Sequence, residues 1–172
     1  MTRGQARTWS ENLGSEGTGF KLITENRKAY HDYFVMERFE TGMVLTGTEI
    51  KSARQGKVQL RDSYADIDKG EAWLFNAHFS PYSHGNIWNH EPTKKRKLLM
   101  HKREINKLTG KVKEKGLTLI PLKLYLKNGW LKCELGLCKG KKLHDKREAE
   151  QQRDIAMETK KLLGKRTKGR EE

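Results

Sequence analysis

Leu122-Lys123-Leu124-Tyr125-Leu126-Lys127-Asn128-Gly129-Trp130-Leu131-Lys132-Cys133-Glu134-Leu135 is a pair of alternating runs on either side of a dipeptide. Asn-Gly favours the two-residue turn whose central residues both take positive φ, a turn that matches the twist of paired strands. A loop of that length predicts Lys127 opposite Trp130, Leu126 opposite Leu131, Tyr125 opposite Lys132, Leu124 opposite Cys133, and Lys123 opposite Glu134. In this register Leu122, Leu124, Leu126, Leu131, Cys133 and Leu135 share one face. Lys123, Tyr125, Lys127, Trp130 and Lys132 share the other. A slip of one residue would mix the two sets, so the pattern itself specifies the register. One face buries, and the other presents cations beside aromatic rings.

Upstream the chain reads as further short strands interrupted by two helices. Tyr33 to Phe39 is β-prone, and Met43-Val44-Leu45 follows after Thr41-Gly42. Residues 48–55 form a helix pattern with Thr48 as its cap and Gly56 as its left-handed stop. Ser63 to Ile67 reads as a strand that turns through Asp68-Lys69-Gly70. In the next run Trp73, Phe75, Ala77 and Phe79 occupy the odd, core-facing positions. After a loop over residues 81–92, Thr93 opens a second helix with Leu98, Leu99, Ile105 and Leu108 on one stripe, stopped at Thr109-Gly110. These elements predict a mainly β fold with some α: a small closed barrel of the oligonucleotide-binding kind with flanking short helices. A two-layer α+β sheet is the alternative.

Composition divides the chain into three parts. Residues 1–20 are polar and without period, the pattern of a disordered lead. Residues 21–139 hold the barrel domain, and residues 140–172 form a basic C-terminal tail. The net charge is +14, and the positive excess is spread over both body and tail. Residues 94–115, with ten basic and two acidic side chains, are the densest basic segment. That balance favours an anionic partner, nucleic acid above all. No run approaches the ~20 apolar residues of a membrane helix. Two cysteines, Cys133 and Cys138, do not make a disulfide scaffold, so the expectation is a soluble cytoplasmic protein with no membrane partner.

Neither metal chemistry nor catalysis is indicated. Cys133 and Cys138 fall on opposite faces of one strand, and His78, His84, His90 and His101 lack paired-ligand spacing. There is no phosphate-cradling Gly-rich loop and no nucleophile elbow. His31-Asp32 and His144-Asp145 are adjacent pairs whose side chains point apart on an extended strand. The expectation is therefore no catalytic residue, no metal and no cofactor. The basic-aromatic face of Lys123, Tyr125, Lys127, Trp130 and Lys132 suits RNA instead: cations neutralise phosphates, and rings stack on unpaired bases. In the tail, Asp145 followed by Glu148 suggests a helix start. The stripe of Ala149, Ile155, Ala156, Leu162 and Leu163 is thin, and Gly164 would end the helix. Such a segment is marginal alone in water, so the tail is expected to be disordered when free and helical when bound.

Several separated motifs resemble one family. They are Asn26-Arg27-Lys28-Ala29 with His31-Asp32-Tyr33, Gly47 to Ser52, Asp62-Ser63-Tyr64, Gly70-Glu71, Arg96-Lys97-Leu98-Leu99, Pro121 to Tyr125, and Gly140-Lys141-Lys142-Leu143-His144-Asp145-Lys146-Arg147. In order and spacing, from about residue 22 to 165, they look like the SmpB family of SsrA-binding proteins, partners of transfer-messenger RNA in bacterial ribosome rescue. The resemblance implies an oligonucleotide-binding-like barrel that grips the tRNA-like domain of that RNA. Its RNA-contact positions fall on Asn26, Glu40, Leu99 and Lys132, to which Arg27 and the hairpin residues Lys123, Tyr125 and Lys127 are added. Glu40 would read base amino groups or fix neighbouring cations, and Leu99 would pack against an unstacked base.

The resemblance also implies that the tail lies in the decoding centre and empty mRNA channel of a stalled small subunit, replacing a codon–anticodon helix. Gly140 is then the hinge, His144 the stacking residue, and Lys141, Lys142, Asp145, Lys146 and Arg147 the flanking contacts. Elongation factor Tu would belong to the delivery complex, and GTP hydrolysis to it rather than to this chain. Thr41 stands where the family usually has Ala. A general single-strand RNA-binding protein and an RNA-processing enzyme are the competing readings.

Overall fold

The turn at Asn128-Gly129 forms as its dihedrals require: Asn128 has φ 51° and Gly129 φ 82°. The structure, a computed structural model, describes residues 19–168. The turn joins strands β8 (Thr118–Lys127) and β9 (Trp130–Gly140), and all five expected pairings from Lys127–Trp130 to Lys123–Glu134 are present. The ladder then shifts between Pro121 and Lys123. That bulge turns Leu122 away from Leu124 and into a small cluster with Ala29, Ile120 and Cys138. The expected single face is thus broken at Leu122, because one unpaired residue reverses the alternation beyond it.

The preceding elements are β1 (Phe20–Glu25), α1 (Arg27–Asp32), β2 (Tyr33–Met43), α2 (Gly47–Arg54), β3 (Val58–Gln59), β4 (Tyr64–Asp68), β5 (Glu71–Phe75), β6 (His78–Phe79), β7 (Arg96–Leu99) and α3 (Lys102–Lys115); α4 (Leu143–Lys168) follows β9. Pairing runs from β8 through β4, β5, β7, β2 and β9 and returns to β8. The ring is uneven: β4 meets β8 through Ala65–Leu119, and β2 meets β7 through two pairs, whereas β2 and β9 pair along most of their length. β1 adds to the outer edge of β8, and β3 pairs with β6 apart from the ring. The main core gathers Leu74, Leu98, Leu108, Leu119, Leu124, Leu131, Cys133 and Leu135.

Four sequence expectations are corrected here. Phe20 opens β1, so the expected lead ends earlier; its residues 1–18 lie outside the described residues. α2 starts one turn-end sooner than expected, with Thr46 as cap: Glu49 Oε2 accepts from the Thr46 N–H at 2.7 Å and from its hydroxyl at 3.0 Å. Residues 96–99 are a strand, not helix. Arg96 and Leu98 turn inward while Leu99 points out, and pairing with β5 and β2 decides between two periods that four residues cannot distinguish. α3 therefore begins at Lys102, runs through Thr109-Gly110, and stops at Gly116 with φ 57°.

The fourth is the core phase of β5. Ala72 and Leu74 are buried, and Trp73 and Phe75 only half so. Asn76 then takes φ 57°, and this left-handed residue resets the phase so that Ala77 and Phe79 face inward.

Gly136 marks the tightest point of β9. A Cβ there would lie 2.8 Å from Leu122 Cδ1 and 3.0 Å from Cys138 Sγ, both fully buried. Gly136→Ala is expected to lower stability by about 1–3 kcal/mol through overpacking, read as a lower urea midpoint at unchanged slope. An unchanged midpoint would show that the bulge at Leu122 relaxes freely.

Candidate RNA-binding surface and arm

The outward face of β8 and β9 continues onto their neighbours in three registered rows. The first is Glu40–Glu134–Lys123–Glu25, across β2, β9, β8 and β1. The second is Leu99–Gly42–Lys132–Tyr125–Leu22, across β7, β2, β9, β8 and β1. The third is Trp130–Lys127–Phe20. Residues in register on adjacent strands point to the same side. The rows therefore form one surface, with Leu99, Leu22, Phe20 and Trp130 among its exposed apolar groups. Gly42 keeps the second row low: a Cβ there would stand 3.3 Å from Leu99 Cβ.

Glu40 is the hub of this surface. Tyr125 donates its hydroxyl to Glu40 Oε2 at 2.7 Å, Lys127 Nζ lies 3.1 Å from the same oxygen, and Lys132 Nζ is 3.8 Å from Oε1. Partial burial opposes ionisation of Glu40, but the Tyr125 hydrogen bond and the Lys127 and Lys132 charges outweigh it and hold the carboxyl below its usual range. Burial, then the bond to Glu40, pushes the Tyr125 phenol well above its ordinary value. Lys123 pairs with Glu25 at 3.4 Å and Arg38 with Glu134 at 3.1 Å. The cations of this face are thus held in place by carboxylates. Glu40 itself is paired with Lys127 and Lys132.

Tyr125 is not an open stacking platform. Phe20 covers its ring, with centroids 5.0 Å apart, and only 7% of the residue is exposed. The accessible rings are Phe20 and Trp130, the latter 74% exposed. Sequence reading missed Phe20, Leu22 and Glu25 because it ended the lead at residue 20. The alternation of Phe20, Leu22 and Thr24 was the available signal.

Asn26 is buried rather than presented. Its amide nitrogen donates to Leu60 O and Pro121 O, each at 3.1 Å, and its Oδ1 accepts from the Ala29 N–H at 3.2 Å, capping α1. Every polar atom of that side chain is engaged in holding α1 against β8 and the segment at Leu60. Arg27, the next residue, is exposed.

The arm leaves at the end of the β2–β9 ladder, where Gly140 pairs with Tyr33. The Lys141 N–H donates to Asp32 O at 2.9 Å, and Lys141 Nζ donates to Tyr30 O at 3.1 Å while lying 4.9 Å from the Phe34 ring centroid. The Lys142 N–H donates to Asp145 Oδ2 at 2.9 Å. The expected helix start is thus displaced: Asp145 serves as the acceptor inside the first turn, not as the cap. α4 continues through Gly164, where the sequence pattern placed its end. Both adjacent His–Asp pairs interact, His31 Nδ1 with Asp32 Oδ1 at 2.9 Å and His144 Nε2 with Asp145 Oδ1 at 3.1 Å. The expectation that they point apart assumed strands, and both lie on helices. His144, Lys142 and Arg147 are exposed.

No described helix is long and apolar enough to cross a membrane. Among the described residues no three His, Cys, Asp or Glu side chains gather as a metal set. Burial pushes the Cys133 thiol up to about 12 and the Cys138 thiol to about 11, so neither offers a thiolate at neutral pH.

Comparison with known proteins turns this geometry into a family. The model of the SmpB protein family matches residues 23–165. The chain belongs to the SmpB family. Among SmpB relatives, the SsrA-binding protein of Carboxydothermus hydrogenoformans is 62% identical over 143 residues, covering 83% of this chain and 96% of the relative. The SsrA-binding protein of Desulfitobacterium hafniense strain DCB-2 is 56% identical over 151 residues, covering 88% and 97%. A chain of a solved structure described as "tmRNA-SmpB: a journey to the center of the bacterial ribosome" matches with TM-score 0.61 and 48% identity, covering 73% of this chain and 92% of that one. The SmpB match begins after β1 has started and ends inside α4, so it takes in body and arm together.

Proposed function

We propose that this SmpB chain is an RNA-binding factor of bacterial ribosome rescue without catalytic activity of its own. Its body, residues 21–139, read as an oligonucleotide-binding-like closed barrel, holds the tRNA-like domain of transfer-messenger RNA. Its arm, residues 140–172, enters the decoding centre and empty mRNA channel of a stalled ribosome as a helix in place of a codon–anticodon helix. The observation that carries this reading is the likeness, over nearly their whole length, to SsrA-binding proteins. The three-row surface supports the division of labour. Lys132, Lys127 and Lys123 supply cations to the RNA backbone, Leu99 and Trp130 supply apolar cover for splayed bases, and Glu40 and Tyr125 hold the lysines in place. Asn26 sets α1, and Arg27 extends the charged surface from its first residue. In the arm, Gly140 and Lys141 set its departure from the body. Lys142, His144, Asp145, Lys146 and Arg147 meet ribosomal RNA, with the His144 ring as the stacking group. Delivery takes place in the cytoplasm with elongation factor Tu, which supplies the GTPase step.

Lys132→Ala tests the body half. It removes one phosphate partner, so affinity for the tRNA-like domain falls, and the slope of log K against log salt becomes shallower by about 0.7–0.9. A salt titration of binding by the full-length protein checks this. A slope that does not change would place Lys132 outside the RNA contact. RNA cleavage or modification by the purified protein alone would overturn the non-catalytic reading.

A further inference from the structure

The SmpB family match begins at residue 23, so Phe20 and Leu22 stand outside the shared pattern. Strand β1 nevertheless holds both on the outward face of the sheet. Phe20 pairs with Lys127, Lys21 with Leu126 and Leu22 with Tyr125, and the Asn128 N–H donates to Gly19 O at 2.9 Å. About half of Phe20 and half of Leu22 is open to solvent, and neither joins a buried cluster, so no core demand accounts for a phenylalanine here. One face of the Phe20 ring rests on Tyr125, with centroids 5.0 Å apart and planes tilted by 35°. Tyr125 is fixed in turn, because its hydroxyl donates to Glu40 Oε2 at 2.7 Å. The open side of Phe20 is thus a ring surface backed by a second ring, which a carboxylate holds still. Such a platform has already met the ordering cost that a mobile ring would meet on binding.

Charge on this face leaves such a platform work to do. Lys123, Lys127, Lys132 and Arg38 each lie 3.1–3.8 Å from a carboxylate oxygen of Glu25, Glu40 or Glu134. Their attraction for phosphate is partly offset, so part of the hold on RNA has to come from contacts that carry no charge. We propose that Phe20 is a further RNA-binding residue of this chain: its open face stacks on an unpaired base of the tRNA-like domain, Tyr125 buttresses it, and Leu22 borders it. The inference rests on the reading of the three-row surface as the RNA contact and adds to it a residue from outside the family pattern.

The test is equilibrium binding of the full-length protein to the tRNA-like domain of transfer-messenger RNA across a salt series. Phe20→Ala should weaken binding by about five- to tenfold, the effect of losing one base stack. The slope of log K against log salt should stay as in the parent, because no counterion is released by a ring. Phe20→Leu keeps an apolar cover over Tyr125 and should lose about as much as Phe20→Ala. Phe20→Tyr keeps the ring and should bind as the parent does. Parent-like binding by Phe20→Ala or Phe20→Leu, a loss with Phe20→Tyr, or a changed slope would each overturn the stack while leaving the proposed function in place. Absence of binding by the parent itself would overturn that function, and the stack with it.

Discussion

A chain ending at Lys142 retains affinity for the tRNA-like domain of transfer-messenger RNA and adds no tag peptide on stalled ribosomes. Binding should survive because the removed segment carries nine basic and seven acidic side chains, so its net contribution to the phosphate field is small. The rows around Glu40 lie on strands that end before the cut, and their ion pairs are all within the body. The arm has little core to lose. Leu143, Ile155 and Met157 are exposed, so its removal leaves the main cluster intact. Tagging should be lost because His144, Asp145, Lys146 and Arg147 go with it. Paired measurement of binding and tagging, full-length against truncated, checks both halves. Undiminished tagging would reduce the arm to a solvated helix, and loss of both would show that body and arm are not separable.

The largest expected loss of stability comes from Arg96→Ala, about 3–5 kcal/mol. Arg96 and Glu49 have no exposed side-chain surface, and Nε lies 2.9 Å from Glu49 Oε1. The guanidinium also donates to Ala77 O at 2.8 Å, Lys94 O at 2.9 Å and Pro92 O at 3.0 Å, and its carbon lies 4.0 Å from the Phe79 ring centroid. It thus ties α2, the loop before β7, and the strand that carries Leu99. Removing it leaves Glu49 buried with Lys94 at 3.3 Å as its nearest cation.

The second-site change Glu49→Gln on the Arg96→Ala background should recover part of the loss, because the stranded charge disappears. Burial opposes Glu49 ionisation, yet the Thr46 N–H, Arg96 and Lys94 hold its carboxyl below the usual range. Its folded value is depressed, so its contribution is full above the unfolded carboxyl pKa and is lost as pH falls through the folded one. Urea unfolding of the variants across the acid range measures both effects. A loss under about 1 kcal/mol for Arg96→Ala would mean that water replaces the guanidinium.

Recognition of the family was carried by motifs spread along the chain, whereas the physical site was only partly legible. The hairpin was readable in detail because its causes are local: two residues that accept positive φ, and flanks of period two. The same holds for Lys69-Gly70, with φ 48° and 75° between β4 and β5. The cationic face followed from that register alone. What it did not contain was Glu40, which the resemblance supplied and which sits 85 residues from Tyr125. Nor did it show Phe20 lying over Tyr125, because that contact requires β1 to pair with β8. Asn26 reads as polar and available; burial between Leu60 and Pro121 makes it a cap.

By itself, then, the sequence determined the β8–β9 register, the basic outward face, and the joint at Gly140 where periodic strands give way to a polar helix. Each depends on dihedral preference or alternation within about a dozen residues, where no distant partner is needed. Tertiary structure alone decided that Arg96 lies in a strand, that Leu122 leaves the main core, and that Glu150 meets His31 across 119 residues. Those outcomes turn on which surfaces meet. A short segment that suits two periods, or a charged side chain that suits many partners, takes its state from whatever the folded chain brings against it.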